Sequence, residues 1–270
     1  MLAICFSLVL YKHSIESLNP LLSSIRVLAD HAPRLRILLR VYDGSPLGHP
    51  SPTKEDLVSK LPSVDVLYSR GRNVGFGSAN NINFFHAPLS PFDLFAVVNP
   101  DIRFSPAQLL PLLYWAFSRA DYACVAPLVL LESGAIQYSV KRDPTVLSLL
   151  LGRFEFLKRF SLLRKYDSWH KNLGFDYASE VVRSTYLSGC FLLIPAWAFD
   201  RVGGFCEKYF LHVEDADIVR RLSMVGDCLH NPIGVVVHGW ARGSHSSFSQ
   251  ILSLLKSFWT YCWIWGFRLL

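Results

Sequence analysis

Three acids crowd the start of the segment Phe210 to Leu222, which reads FLHVEDADIVRRL: Glu214, Asp215 and Asp217. Arg220 and Arg221 follow, and Ile218 and Leu222 stand four apart, so the spacing predicts a helix entered near Glu214. Carboxylates suit a first helical turn and arginines a later one, because the macrodipole favours that order. On one reading, then, the acids only cap a helix. On the other, their neighbours Gly189, Gly203, Gly204, Phe205 and Glu207, with Gly226 and His238 downstream, mark the mouth of a glycine-rich segment. A carboxylate there can serve as a general base beside a metal ion. Asp43, Asp101 and His238 each follow an apolar run, at what reads as the carboxyl end of a strand, where open α/β sheets bind ligands. A carboxylate at such an end can reach a divalent cation. Each also has a plainer reading: Asp43 as a turn former in Asp43-Gly44-Ser45-Pro46, Asp101 as a cap before Ser105, and His238 as a structural histidine.

The elements that must position these residues alternate. Ile4 to Tyr11 reads as a buried parallel strand and Ser14 to Leu28 as a helix. Arg36 to Tyr42 is a second strand, which completes a βαβ unit. Lys54 to Leu61 is helical and Val64 to Tyr68 a third strand. The stretch Arg70 to Asn81, RGRNVGFGSANN, follows. Its closely spaced glycines admit a ligand to the backbone, and a helix beginning near Ser78 would aim its N-terminus at phosphate. It is not the dinucleotide fingerprint, which needs a third glycine and follows the first strand. Asp93 to Val98 runs into Asn99-Pro100-Asp101, Ser105-Pro106 opens a helix through Phe117, Ala123 to Leu131 is a fifth strand, and Gly134 marks a hairpin. Tyr186 to Ile194 reads as one apolar strand containing a close-approach glycine, Ala196 to Val202 as a short helix, and Val235 to Val237 as a strand ending at His238-Gly239-Trp240.

Two stretches carry a surface signal. Val146 to Lys165 mixes long apolar side chains with Arg153, Lys158, Arg159, Arg164 and Lys165, either an anionic-membrane segment or an ordinary surface helix. Phe248 to Leu270 is an amphipathic aromatic helix with Phe258, Trp259, Tyr261, Trp263, Trp265 and Phe267, suited to a membrane interface or to docking on the rest of the chain.

The 270 residues are long enough for a substantial core, and half of them are apolar. A net charge of +6 suits anionic partners such as nucleotides or acidic membranes, and the absence of zinc-finger spacing or arginine-glycine tracts argues against nucleic acid. The six cysteines are scattered without a C-x-x-C pair, as expected for reduced core residues of a cytosolic protein. MLAICFSLVLY lacks a basic n-region and a cleavage site, so a buried first strand is expected in place of a signal peptide. No run of eighteen apolar residues predicts a spanning helix.

The order LYKHS, YDGSP, RNVGFGSANN, VVNPD, YLSGCFLLI, VGGFCEKYFLHVEDADIVRR and VVVHG resembles the family 2 inverting glycosyltransferases of the GT-A fold, in particular the bacterial branch of rhamnosyl- and galactofuranosyltransferases. The resemblance runs from Cys5 to about Ser246. It implies an α/β, Rossmann-like fold with a mostly parallel central sheet flanked by helices. It also implies a glycosyltransferase domain over residues 1–246, with 1–131 as the nucleotide-sugar half and 132–246 as the acceptor and catalytic half, followed by the helix of 247–270. Tyr11 and Asp43 would meet base and ribose; Asn73, Gly75, Phe76, Gly77 and Asn80 would shape the nucleotide pocket. Asp101 stands where the family's metal-binding D-x-D motif ends, Asn99 replaces its first acid, and His238 matches a histidine that joins the metal, Mg²⁺ or Mn²⁺. Asp215 matches the catalytic base, Glu214 assists it, Gly189 lines the donor sugar, and Asp217 and Trp240 complete the substrate set. Cys206, in Phe205-Cys206-Glu207, replaces a frequent acid, and Gly44 replaces the usual asparagine.

The resemblance implies transfer of a sugar, rhamnose from dTDP-rhamnose first among candidates, to a lipid-linked saccharide acceptor at the inner face of the cytoplasmic membrane. UDP-galactofuranose, UDP-glucose and UDP-GlcNAc are alternative donors. A catalytically silent nucleotide-sugar-binding subunit and a membrane-surface protein whose acids only cap a helix are the rival readings, and the oligomeric state is left open.

Overall fold

The computed structural model describes residues 2–239 and 248–270. The elements follow in the order β1 (Ala3–Leu10), α1 (Ile15–His31), β2 (Arg36–Asp43), α2 (Lys54–Lys60), β3 (Asp65–Arg70), α3 (Phe76–Phe85), β4 (Leu94–Val98), β5 (Ile102–Arg103), α4 (Pro106–Phe117), β6 (Tyr122–Leu131) and β7 (Val140–Lys141). Then come α5 (Val146–Arg153), a 3-10 turn (Glu155–Arg159), α6 (Ser161–His170), β8 (Val182–Arg183), β9 (Tyr186–Leu187), β10 (Phe191–Pro195), α7 (Ala196–Arg201), α8 (Glu214–Leu222), β11 (Asp227–His238) and α9 (Phe248–Trp265).

The main sheet runs β3-β2-β1-β4-β10-β6-β11-β5, with β8 on β11. The pairings β1–β2, β2–β3, β1–β4 and β6–β11 are parallel, and β10 runs antiparallel between β4 and β6. The sheet is therefore mostly parallel, as the alternating pattern predicts, with one antiparallel strand joining two parallel blocks. Both faces are covered, which explains why β4 is apolar throughout and β1 is broken only by Ser7. Leu18, Leu21, Leu22, Ile25 and Leu28 of α1 join Leu57 of α2 and Leu109, Leu112 and Leu113 of α4 in one core. Phe84 of α3, Phe199 of α7 and Ile218, Val219 and Leu222 of α8 pack on the other face. Each such leucine contributes about 1.5–3 kcal/mol through removal from water. Local chemistry sets the helix starts: Thr53 and Asp56 form a capping box at α2, and Ser105, Pro106 at N1 and Gln108 do the same at α4.

Three expectations need correction. Tyr186 to Ile194 is not one strand: β9 pairs with β7 in a separate two-stranded sheet, and β10 begins only at Phe191. The break falls at Gly189, where a Cβ would lie 3.1 Å from the Cβ of Asp215, so the chain turns there to meet α8. Val146 to Lys165 is two helices separated by a 3-10 turn, since Phe154, Glu155 and the bulky Phe156 face solvent and give a continuous helix nothing to bury against. The Val235 to Val237 strand is the end of the longer β11, which starts at Asp227 and passes an irregularity between His230 and Val235. Among the described residues no helix is long and apolar enough to cross a membrane.

Candidate active site

The site lies beyond the carboxyl ends of β1, β2, β4 and β11. Asp43 ends β2 fully buried; its Oδ1 accepts from the Ser45 N–H (2.8 Å) and its Oδ2 from the Tyr68 hydroxyl (2.9 Å). Burial raises its carboxyl, but these hydrogen bonds outweigh that and hold it below the ordinary aspartate value. Next to it the Tyr11 ring stands 45% exposed, open to stacking by a base. Asn73 is exposed, and its Oδ1 accepts from the Gly75 N–H (3.1 Å).

The first amide of α3 is engaged within the protein. Gly75 has φ +88°, and a Cβ on it would lie 2.3 Å from the Phe210 carbonyl oxygen, which accepts from the Phe76 N–H (3.0 Å). A Cβ on Gly77 would meet Phe205 at 2.9 Å, and Phe76 packs edge-on against the Phe205 ring. Asn80 is fully buried: its Oδ1 accepts from the Ser7 hydroxyl (2.6 Å) and its Nδ2 donates to the Phe76 carbonyl (2.9 Å). Gly75, Phe76, Gly77 and Asn80 thus fix the pocket wall and the 205–210 segment from behind.

On the other flank β5 pairs with the end of β11, with Ile102 opposite His238, and the Gly239 N–H donates to the Asp101 carbonyl (2.8 Å). This sets Asp101 Oδ1 3.1 Å from His238 Nε2. His238 Nδ1 lies 2.7 Å from Gln137 Oε1; an amide oxygen only accepts, so the ring proton is on Nδ1. The Nε2 lone pair then accepts from Asn99 Nδ2 at 3.4 Å and faces the Asp101 carboxylate. The two atoms stand at ion-pair distance. Neighbouring oxygens around an octahedral ion at about 2.1 Å are themselves about 3 Å apart, so the pair fits an ion bound on one edge. Among the described residues no group of three or more acidic, histidine or cysteine side chains gathers to hold a metal.

Gly189 and Cys190 connect this pair to the acidic cluster. The Cys190 carbonyl accepts from the Asn99 N–H (3.0 Å), and the Gly189 N–H donates to Asp215 Oδ2 (3.1 Å). Asp215 Oδ1 accepts from the Ala216 N–H (2.9 Å), and Tyr186 stands beside this carboxylate. Burial, with Asp215 and Glu214 beside it, raises the Tyr186 phenol well above its ordinary value. Asp215 remains partly open, whereas Glu214 is buried with Oε2 lacking a partner among the described residues. Burial, reinforced by the Asp215 charge, pushes Glu214 up to about 8, so near neutral pH it holds a proton. The helix carrying both begins from a left-handed pair, His212 (φ 72°) and Val213 (φ 68°), a conformation that costs a β-branched residue about 1–2 kcal/mol. Such strain persists where surrounding contacts impose it.

Asp217 is not a substrate ligand. It is fully buried, its Oδ1 accepts from Trp265 Nε1 (2.8 Å) and its Oδ2 from Arg221 Nε (2.9 Å). It anchors α9, whose Tyr261 joins Tyr209, Val213 and Ala216 in a small core. Trp240 lies outside the described residues.

Three residues of this region went unread in the sequence. Gln137 orients His238, Tyr186 supports Asp215, and His13 stands near both Asp43 and Asp101. The Tyr11 N–H donates to His13 Nδ1 (3.1 Å), which places the ring proton on Nε2; burial lowers this histidine's pKa, against the pull of the Asp101 and Asp43 carboxylates.

Strand-end acids and a histidine thus gather beside an α/β sheet whose two parallel blocks are joined by the antiparallel β10. No protein-family model matches the chain. It is 28% identical over 184 residues to the N-acetylglucosaminyl-diphospho-decaprenol L-rhamnosyltransferase of Mycobacterium tuberculosis, covering 64% of this chain and 58% of that protein. It is 30% identical over 190 residues to the rhamnosyltransferase WbbL of Escherichia coli K12, covering 68% of this chain and 67% of that one. The chain thus spans little more than half the length of the mycobacterial relative. GalNAc-T7, solved with UDP, GalNAc and Mn²⁺, superposes with a TM-score of 0.66 at 18% identity, over 98% of this chain and 48% of that one. The mannosyltransferase PcManGT of Pyrobaculum calidifontis, solved with GDP-Man and Mn²⁺, gives 0.56 at 14% identity, over 90% and 58%. The chain belongs to the family of rhamnosyltransferases built on the GT-A fold.

Proposed function

We propose that the chain is an inverting, family 2 glycosyltransferase that moves a sugar, rhamnose from dTDP-rhamnose as first candidate, to a hydroxyl of a lipid-linked saccharide in bacterial surface-polysaccharide synthesis. The observation that carries this is the partly open Asp215 carboxylate, held by Gly189 on the same backbone turn that bonds the Asp101–His238 flank. Residues 1–131 hold the donor: Tyr11 stacks on the base, and Asp43 and Asn73 line the nucleoside. Residues 132–246 receive the acceptor. Asp101 and His238 would hold a divalent cation, Mg²⁺ or Mn²⁺, which would neutralise charge on a departing diphosphate. Gln137 keeps the His238 lone pair turned toward that place. Asp215 Oδ1 and Oδ2 are held by backbone amides, and the carboxylate takes the acceptor hydroxyl's proton as that oxygen attacks the anomeric carbon from the face opposite the nucleotide. Inversion follows from that placement. Protonated Glu214 adds no second charge beside the base.

A lipid-linked acceptor places the protein peripherally, at the inner face of the cytoplasmic membrane. Support for such an acceptor comes from the name of the mycobacterial relative. The test is a panel of nucleotide sugars with Mg²⁺ or Mn²⁺ and a lipid-linked N-acetylglucosaminyl diphosphate. Nucleotide release is expected with dTDP-rhamnose, and release with no donor would sink the enzymatic reading.

A further inference from the structure

Exposed apolar side chains gather on two stretches far apart in sequence. Along α5, the 3-10 turn and α6, Phe156, Leu162 and Trp169 are 60%, 77% and 50% exposed. Along the outer face of α9 and beyond it, Trp259, Trp263 and Phe267 are 69%, 82% and 63% exposed. Main-chain hydrogen bonds join the two: the Val146 N–H donates to the Arg268 carbonyl and the Leu147 N–H to the Leu269 carbonyl, both at 3.2 Å. Trp169 and Leu270 line one cleft of about 670 Å³. The two stretches form one surface.

Charge is gathered there as well. Residues 146–173 hold six lysines and arginines against two acids, and residues 248–270 hold two cations and no acid. Together they account for the whole net charge of +6, so the rest of the chain is balanced. One of the two acids, Asp167, is paired with Lys158 and Lys171. The opposite face of α9 is already buried: Phe258 and Tyr261 are inside, and Ser257 bonds the Leu211 carbonyl (2.8 Å). Its outer face is thereby held in place without further folding. A second copy would set this cationic face against itself. Indole rings and cations side by side match the headgroup region of an anionic bilayer.

We propose that the joint surface of α5, α6 and α9 seats the protein on an anionic phospholipid bilayer, with Trp169, Trp259 and Trp263 at headgroup level. The inference rests on the reading of a lipid-linked acceptor and deepens it. The inner face of α9 packs on Tyr209, Val213 and Ala216, which flank Asp215, so the bilayer meets the acceptor side of the site.

The test mixes the full chain with vesicles of phosphatidylcholine alone or of phosphatidylcholine with phosphatidylglycerol. Sedimentation and a blue shift of tryptophan emission are expected with the mixed vesicles only. Arg164→Gln with Lys165→Gln lowers vesicle affinity about thirtyfold, and Trp259→Ser with Trp263→Ser removes sedimentation, both with an unchanged thermal midpoint. A protein that stays in the supernatant with mixed vesicles overturns the proposal. So do double variants that sediment like the parent, or a dimer in solution that buries these tryptophans. Donor turnover is measured separately. An active protein indifferent to vesicles overturns the surface alone, and a vesicle-bound protein inert to every donor overturns the function alone.

Discussion

Asp215 is the residue on which the proposed chemistry turns, and it is the sharpest place to test it. Asp215→Asn keeps the shape and one of the two amide contacts but cannot take a proton. It should lower kcat by about 10²- to 10⁴-fold while nucleotide binding by calorimetry stays nearly unchanged. Gln137→Leu leaves His238 in place but frees its tautomer, so Mn²⁺ affinity in the presence of UDP or dTDP should fall about 10- to 100-fold. Glu214 gives a pH prediction with a definite sign. Its folded-state value is raised, so its contribution to stability is full below the ordinary glutamate value and is lost as pH rises through about 8. Glu214→Gln removes the titration. The variant's thermal midpoint should gain on the parent as pH moves from acid to alkaline, and parallel pH profiles would refute the raised value. At this scale the sequence is most legible where a residue ends an element: Asp43, Asp101 and His238 follow apolar runs, and Asp215 opens a helix. Gln137 and Tyr186 carry no such mark. Gln137 meets His238 across 101 positions of chain, and only the folded sheet brings them together.

Elements were readable where local chemistry decides them. The capped starts of α2 and α4 are written in Thr53, Ser105 and Pro106. Gly189 reads as a flexible point within a strand, but that it breaks the strand depends on the distant approach of Asp215. Gly75 is similar: its left-handed φ and the nearby Phe210 carbonyl fix a junction between α3 and the segment leading to α8. Gly75→Ala combines a backbone penalty of about 1–2 kcal/mol with a direct clash, and the drop in urea midpoint should be accompanied by weaker nucleotide binding. The last helix was expected either to dock or to face a membrane; its inner face docks, through Trp265 on Asp217. Asp217→Ala leaves Arg221 without its buried partner and should cost about 3–5 kcal/mol in denaturant unfolding.

For the whole molecule, the alternation of strand and helix made the doubly covered sheet foreseeable, whereas the antiparallel β10 between two parallel blocks was not, because its register is set by β4 and β6, strands far earlier in the chain. Binding to the native state alone stabilises, so UDP or dTDP with Mn²⁺ at about 100 times the dissociation constant should add about 2.7 kcal/mol. Asp101→Ala should abolish the metal-dependent part of that gain in a melting curve. The Phe210 carbonyl, which takes the first amide of α3, has a further consequence. That amide is engaged within the protein, and under the proposed function a divalent ion held by two side chains would be retained only loosely. Under the proposed function, the pace of surface-polysaccharide assembly would therefore follow the free magnesium and manganese of the cell, rising and falling with ion supply as well as with sugar nucleotide.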